Sequence, residues 1–546
     1  MIRKMCAAAL LTGFFVKSAH AALVISTAPT SNVTCGGVVC AATSQNAVLN
    51  VRDLERWLAH RDTRVVSGST AVDIEIDAPV YWTSAHRLTL DGYRSITFTQ
   101  SVTSVGTGGM TITTNDGGTG GDFLFTGKGH VVFWDLASSL IIDSESYTLV
   151  ADIETLASDL AANPSGRYAL ANDDHVASAY SSSPIQNEFT GVFEGLGNWI
   201  VNLIVNDPTS GTTSAETIGL FGVIAGGVVR DVKLKAKVAG VVGGFEYIGT
   251  LAGSNGGTIS HCTAYGLVSG GVKAGGLVGW NTASVLGSHA TVRVNGSGAD
   301  SAGGLVGENG GAFQPPPPDP SLIADSDASG SVTVGSYALA GGLAGAVNFS
   351  TVLRSHASGV VRAGDHAIAG GLVAYSAGEI DRTWASGAVT VGDVSYAGGL
   401  IGLISQQRIE RLLGVLTNSY ATGPVAGGSN SYVGGLAGAM GGLNRRHVGS
   451  AYAVGAVSAG SGSSIGGLTG SDSVGGFAYQ TYWDLDTSGI SDPSKGAGNI
   501  PNDAGITGLT DAQLKSSLPA GFDPSIWGQS TGINNGLPYL LAIPPQ

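Results

Sequence analysis

Short stretches of strict alternation between apolar and polar side chains recur through the second half of this chain. Thr291-Val-Arg-Val294, Ser331-Val-Thr-Val334 and Ala388-Val-Thr-Val391 are examples. A period of two with β-branched residues describes a strand with one face turned inward. No helical period appears in this region. Between the alternating stretches a phrase close to Ala-Gly-Gly-Leu-Val-Gly returns, with its leucine at Leu220, Leu251, Leu277, Leu305, Leu343, Leu372, Leu400, Leu436 and Leu468. The steps are 31, 26, 28, 38, 29, 28, 36 and 32 residues. The 38-residue step holds the proline-rich insertion 313–320 and the 36-residue step holds 406–416; without such insertions the period is about 28.

A second phrase, Ser-(His/Tyr/Trp)-Ala-(Ser/Thr)-Gly, sits between the leucines. Its small centres are Cys262, Ala290, Ala328, Ala357, Ala385, Ala421 and Ala453. From each centre to the next phrase leucine is 15 residues in all seven cases, whereas the other half of the repeat ranges from 11 to 23. Stacked strands must keep register while loops at one corner are free to grow. The pattern predicts an all-β chain folded as a parallel β-solenoid (a β-helix, expected to be right-handed) with short capping helices. One repeat is then one coil, rising about 4.8 Å. The glycines are expected at corners that need positive φ and where neighbouring coils approach closely.

Two columns flank the small centres. One reads His261, His289, Asp327, His356, Trp384, Tyr420 and Tyr452. The other reads Ser260, Ser288, Ser326, Ser355, Thr383, Ser419 and Ala451. The first is expected to be a pile of flat side chains rather than a metal ladder or a sugar track. The hydroxyls are expected to satisfy backbone groups at the turn.

Outside the array, Asn50 is placed to cap a helix over 51–60, with Val51, Leu54, Trp57 and Leu58 on one face. Asp152 is placed likewise before 153–161. Each precedes a β segment, Val72-Asp-Ile-Glu-Ile76 and Arg167-Tyr-Ala-Leu170. Thr510-Asp-Ala-Gln513 fits a capping box that opens a short helix. That region is expected to close the C-terminal edge of the stack.

Composition narrows the class. Gly is 86 of 546 residues and charged residues are 12%, yet 43% are hydrophobic. Flexible glycine-rich linkers lack that apolar content. The start reads as a secretory signal, with Arg3 and Lys4, an apolar run over 5–16, and Ser18-Ala19-His20-Ala21, which predicts cleavage after Ala21. No stretch reaches the ~20 apolar residues of a membrane span. Loss of Arg3, Lys4 and Lys17 with the signal takes the net charge from −14 to −17. That balance argues against nucleic acid and anionic membranes as main partners. Cys35 and Cys40 are spaced to close a small disulfide loop in an oxidising compartment. Cys262 is read as a buried small residue.

Catalytic signatures are missing from the sequence. There is no His-Glu-x-x-His and no Gly-x-Ser-x-Gly elbow in a hydrolase context. Gly117 to Phe125 resembles a single nonapeptide calcium repeat, which needs tandem copies to bind. Asp143, Asp173 and Asp174, or Glu188 and Glu194, are the carboxylates that a polysaccharide-cleaving β-helix enzyme would have to bring together. They are read as surface charge. No catalytic, cofactor-binding or metal residue is assigned.

The phrases Gly275-Gly276-Leu277-Val278-Gly279 and Ala302-Gly303-Gly304-Leu305-Val306-Gly307 resemble the GLUG motif of bacterial surface proteins. Upstream, Tyr147 to Asp173 and Phe189 to Gly197 resemble the entry to GLUG arrays in filamentous-haemagglutinin-like exoproteins. Tyr482-Trp483-Asp484, Gly508 to Leu514 and Gly536 to Leu540 resemble their closing segment. The resemblance implies a signal peptide over 1–21, a β-helical region over 22–146, a helix-plus-strand junction over 147–210, the repeat solenoid over 211–475 and a closing cap over 476–546. It implies a secreted or cell-surface, adhesin-like exoprotein. The rod of such a protein attaches to host cells, matrix or other bacteria, through a protein or glycan ligand. An outer-membrane secretion partner is in keeping with that family, although no Asn-Pro-Asn-Leu secretion motif is present. A polysaccharide lyase or glycosidase, or a purely structural shaft, is the alternative. Candidate contact loops fall in the variable half of the repeat, at Phe313, Gln314, Pro315 and Asp319, and at Gln406, Arg408 and Arg411.

Overall fold

The computed structural model describes residues 21–208, 216–241, 245–296, 300–311, 320–405, 415–441 and 447–545. It is an all-β chain dominated by parallel sheets, with a few short helices. The chain divides into two compact units. One comprises 1–176, 191–201 and 229–233; the other comprises 177–190, 202–228 and 234–546.

The first unit stacks short strands in three parallel rows. Ala22–Ser26 lies between Asn46–Asn50 and Asp73–Ile76, which continues to Ile96–Phe98 and Phe123–Phe125. Val80–Trp82, Ser101–Ser104 and His130–Phe133 make a second row. Thr63–Val66, Leu88–Asp91, Met110–Thr113 and Leu140–Ile142 make a third. Inward positions carry Leu23, Leu49, Ile74, Ile96, Val102 and Leu88, all fully buried. The helix Val51–Leu58 is capped by Asn50, whose side chain accepts the Arg52 N–H. It buries Val51, Leu54 and Leu58. The helix Ile153–Ala162 is capped by Asp152, whose carboxylate accepts the Thr155 N–H at 2.7 Å. Between the first helix and Asp73–Ile76 the chain inserts the strand Thr63–Val66, which the alternation pattern did not separate from its neighbours.

In the second unit the strands of the repeats pair in parallel with their equivalents one repeat later, while Trp527–Gly528 and Tyr539–Leu540 pair antiparallel with each other. Glu216–Ile218, Glu246–Ile248, Lys273–Gly275, Ser301–Gly303 and five further strands up to Ser464–Gly466 form one nine-stranded row. The phrase leucines follow directly at a tight bend. Each is fully buried, and their backbones continue the ladder: Leu305 N–H donates to Leu343 C=O at 2.9 Å and Leu343 N–H to Leu372 C=O at 2.8 Å. Insertions 312–319 and 406–414 fall after this bend, between the strands of the next two rows, so the variable half of the repeat is confined to one side in sequence order.

The role of glycine differs in part from expectation. The second glycine of the phrase has a negative φ, and no side chain fits there. A Cβ at Gly304, Gly342, Gly371 or Gly399 would overlap the carbonyl oxygen of the same glycine in the next repeat. It would also come within 2.9 to 3.0 Å of the Cβ of Ala328, Ala357, Ala385 or Ala421. The glycines of one phrase and the alanines of the other thus pack against each other inside the stack, which is why both positions are small. Positive φ at the corners is held mostly by other residues. His261, Asp325, Arg354, Arg382, Asn418 and Ser450 occupy one corner, and Tyr337, His366, Val394 and Asn430 another.

Two polar ladders tie the repeats together. The Ser288 hydroxyl accepts the Cys262 N–H at 3.2 Å and donates to the Leu286 carbonyl at 2.9 Å. Ser326 repeats this with Ser288 and Ala324, and Ser355 with Ser326 and Leu353. Cys262 heads this ladder, its thiol 3.4 Å from the Ser260 carbonyl. It therefore occupies the serine column, not the alanine column, where Ala264 stands opposite Ala290. The 15-residue spacing consequently begins only at Ala290. The reason is the corner between Ser269 and Lys273, which is two residues shorter than its counterpart between Asn295 and Ser301. The second ladder was not legible in the repeat phrases: Asn255, Asn281 and Asn309 are fully buried, and each side-chain amide donates to the next, at 2.7 Å in both links.

Candidate functional site

The expected contact residues Phe313, Gln314, Pro315, Asp319, Gln406, Arg408 and Arg411 lie outside the described residues. Cys35 and Cys40 face each other on an antiparallel hairpin, Cα to Cα 4.1 Å, and are joined as a disulfide.

The candidate carboxylates do not assemble. Asp143, Asp173 and Glu188 are exposed, but Asp174 and Glu194 are buried, which corrects their reading as surface charge. Asp174 accepts the Ile153 N–H at 3.0 Å and so helps hold the start of the second helix. Glu194 is fully buried and accepts the Leu196 N–H at 2.9 Å. Its counter-charge is Arg230, whose Nε lies 3.3 Å away. Arg230 also reaches Asp231 at 2.8 Å and Asp122 at 3.0 Å, and its guanidinium lies 4.1 Å over the Phe123 ring. Burial pushes the Glu194 carboxyl well above the usual carboxylate range, and the Asp231 charge adds to this. Burial opposes the Arg230 charge, but the carboxylates around it prevail and hold it protonated. A glutamate sealed in this way meets no substrate, so the cluster braces the first unit. Among the described residues no group of three or more His, Cys, Asp or Glu is arranged to hold a metal ion.

The flat column is a stack. His289 stands opposite Asp327, then His356, Trp384, Tyr420 and Tyr452 in successive repeats. His356 and Trp384 stack at 4.2 Å, and Tyr420 and Tyr452 at 5.0 Å. His261 is not part of it; Thr263 takes that place opposite His289. The closing segment acts on this column from the side. Phe522, Trp527, Leu537 and Leu540 pack over Trp384, Tyr420, Tyr452 and Tyr482 in one buried cluster. Tyr452 donates its hydroxyl proton to the Pro538 carbonyl at 2.6 Å, Tyr482 to Ala520 at 2.8 Å, and the Trp384 indole N–H to Ile543 at 2.9 Å. The capping box at Thr510 and Gln513 opens this segment.

The earlier levels of the same face have no such cover from the segment. There His289 Nδ1 hydrogen-bonds the Asp327 carboxylate. That bond raises the imidazole above its ordinary value, with burial acting against it. Burial lowers His356. Beside this pair is a shallow groove of about 360 Å³ lined by Gly266, Leu267, Thr291, Arg293, Gly330 and Ser331. Thr291 and Ser329 hydroxyls meet at 2.8 Å along its rim. Lys235, Lys237, Tyr265, Thr291 and Arg293 are exposed around it. The groove offers cations, hydroxyls and one aromatic ring, a set suited to binding polar chains. Period-two alternation located Thr291, Arg293 and Ser331; Lys235, Lys237 and Tyr265 were not singled out by it, and the register that groups them depends on the corner lengths.

No family model matches the chain. It is 33% identical over 159 residues to halomucin of Haloquadratum walsbyi (strain DSM 16790 / HBSQ001), a match covering 28% of this chain and 2% of that one. The matched region is thus a small fraction of that relative's length. A solved IgA1 protease shares 16% identity at a TM-score of 0.34, over 56% of this chain and 21% of that chain.

Proposed function

We propose that the chain is an exported parallel β-solenoid that works by attachment, an adhesin-like exoprotein without catalysis of its own. The observation that carries this reading is the division of labour within each repeat. Inward positions are spent on the leucine, glycine–alanine, serine and asparagine columns, while outward positions on successive repeats stand in register on an exposed face. Such a face multiplies weak contacts along the stack. Ladders at every level keep it stiff, so little ordering entropy is lost on binding. The similarity to halomucin supports the placement outside the cell. The test is retention of the purified mature chain on cells and on matrix-coated surfaces, with turnover assays on a panel of polysaccharides alongside. Saturable retention without turnover is expected. Turnover of any polymer, or no retention on any surface, overturns the reading.

A further inference from the structure

The outer face of Lys233–Ala239, Thr263–Ser269 and His289–Gly296 differs in charge from the rest of this chain of net charge −14. None of the three strands contains an Asp or Glu. Lys235, Lys237 and Arg293 are exposed on it, and among the described residues none of them is in an ion pair. Arg362 extends the row, since Asn295 stands opposite Thr333 and Thr333 opposite Arg362. Asp327, opposite His289 in the next repeat, is hydrogen-bonded to it. The floor of the groove is backbone at Gly266 and Gly330, where a Cβ would overlap the preceding strand. Tyr265, 39% exposed, stands beside it as a flat ring.

We infer that this face binds an anionic polysaccharide. Lys235, Lys237, Arg293 and Arg362 take its sulfate or carboxylate groups, and Tyr265 with the glycine floor takes the sugar rings. The inference rests on the attachment reading and adds a ligand class and a location. The spacing of the cations favours a sparsely charged polymer. Outward neighbours on a strand are about 7 Å apart and adjacent strands about 4.8 Å, whereas duplex DNA carries a charge every ~1.7 Å. A phosphate-dense polymer would leave most of its charges unmatched. Repulsion from the rest of the chain is screened beyond ~8 Å at physiological ionic strength for any polyanion, so the local match of charges decides.

The experiment measures binding of the full mature chain to immobilised polygalacturonate, dextran sulfate, neutral dextran and oligo(dT). Binding to one or both polyanionic glycans is expected, the two arms separating carboxylate from sulfate recognition. Loss of one charge-assisted contact weakens binding on the order of tenfold. Arg293→Gln should therefore cost about that factor, and Lys235→Gln/Lys237→Gln/Arg293→Gln on the order of a hundredfold or more. The control Arg52→Gln/Lys128→Gln, which removes two exposed cations of the first unit, should bind as wild type. Equal binding to neutral dextran, tighter binding to oligo(dT), or a triple variant that binds as wild type overturns the inference. If the chain is retained on cells but binds neither polyanionic glycan, this inference fails and the attachment reading stands. Retention on nothing removes both.

Discussion

Replacing Gly342 with alanine tests the account of the repeat most directly. A Cβ there would overlap the Gly371 carbonyl oxygen and lie 3.0 Å from the Ala357 Cβ. Neither obstacle is a flexible side-chain end, so the repeats must part or the methyl must be squeezed. Overpacking of this kind costs about 1–3 kcal/mol. Alanine also restricts the unfolded chain, which favours folding by ~0.4–1 kcal/mol wherever the backbone tolerates it. The net effect expected for Gly342→Ala is a destabilisation of about 1–2 kcal/mol. Gly335 supplies the control, because nothing lies within 4 Å of a Cβ placed there. Only the unfolded-state term then remains, and Gly335→Ala should stabilise by ~0.4–1 kcal/mol. Damage in a repeat stack stays near its origin, and a chain of two compact units need not unfold in one step. Hydrogen exchange on peptides spanning 336–346 is therefore the right assay, with urea unfolding beside it. Amides around Leu343 should exchange about tenfold faster in Gly342→Ala and no faster in Gly335→Ala. Equal protection in the two variants would refute the close-packing argument.

Four further outcomes follow from particular contacts. Asp503 is pushed up to about 6 by burial and by neighbouring Asp472. A raised carboxyl contributes its stability below the unfolded value near 4 and loses it as pH climbs through 6. Wild type should therefore weaken as pH rises from about 4 to about 6, by up to about 3 kcal/mol in all and nearer half that after solvent screening. Asp503→Asn, which can keep the bond from the Gly476 N–H, should flatten the melting profile over that window. Arg230→Met leaves Glu194 and Asp231 buried without their counter-charge and should cost ~3–5 kcal/mol. Adding Glu194→Gln should recover part of the lost melting temperature. Asn281→Ala breaks the amide ladder in both directions and should cost ~1–3 kcal/mol in denaturant titrations. Trp527→Ala empties the centre of the lateral cluster and should weaken docking of the closing segment by ~3–5 kcal/mol, seen as accelerated proteolysis at Lys515.

The helix starts at Asn50, Asp152 and Thr510 were legible because capping is local chemistry with a fixed spacing. The strands of the array were legible because a period of two survives any packing detail. Phase was harder. Cys262 looks like the alanine of its phrase, and only the shortened corner after Ser269 shows that it fills the serine position. Glycine carries two meanings in sequence, positive φ and absence of Cβ. Here Tyr337, His366 and Val394 take the first and the phrase glycines the second, a division that depends on which carbonyl lies opposite. Glu194 looked like surface charge because Arg230, which neutralises it, lies 36 residues further along the chain. The cationic face was hidden by the acidic total, since net charge carries no information about which side of a sheet a lysine occupies.

The closing segment sets a limit on how this gene can change. A stretch of one whole repeat, duplicated or lost before His356, would rejoin equivalent points of the serine and leucine ladders and leave each of them continuous. Copy number there is free to drift. The segment 510–545, by contrast, bonds to Trp384, Tyr452 and Tyr482 at fixed places along its own length. A repeat added or removed beneath it would move those rings by a full level and break the match. The last repeats are therefore gauged by the tail that lies on them. Length variation among natural versions of this chain should accumulate on the N-terminal side of that gauge.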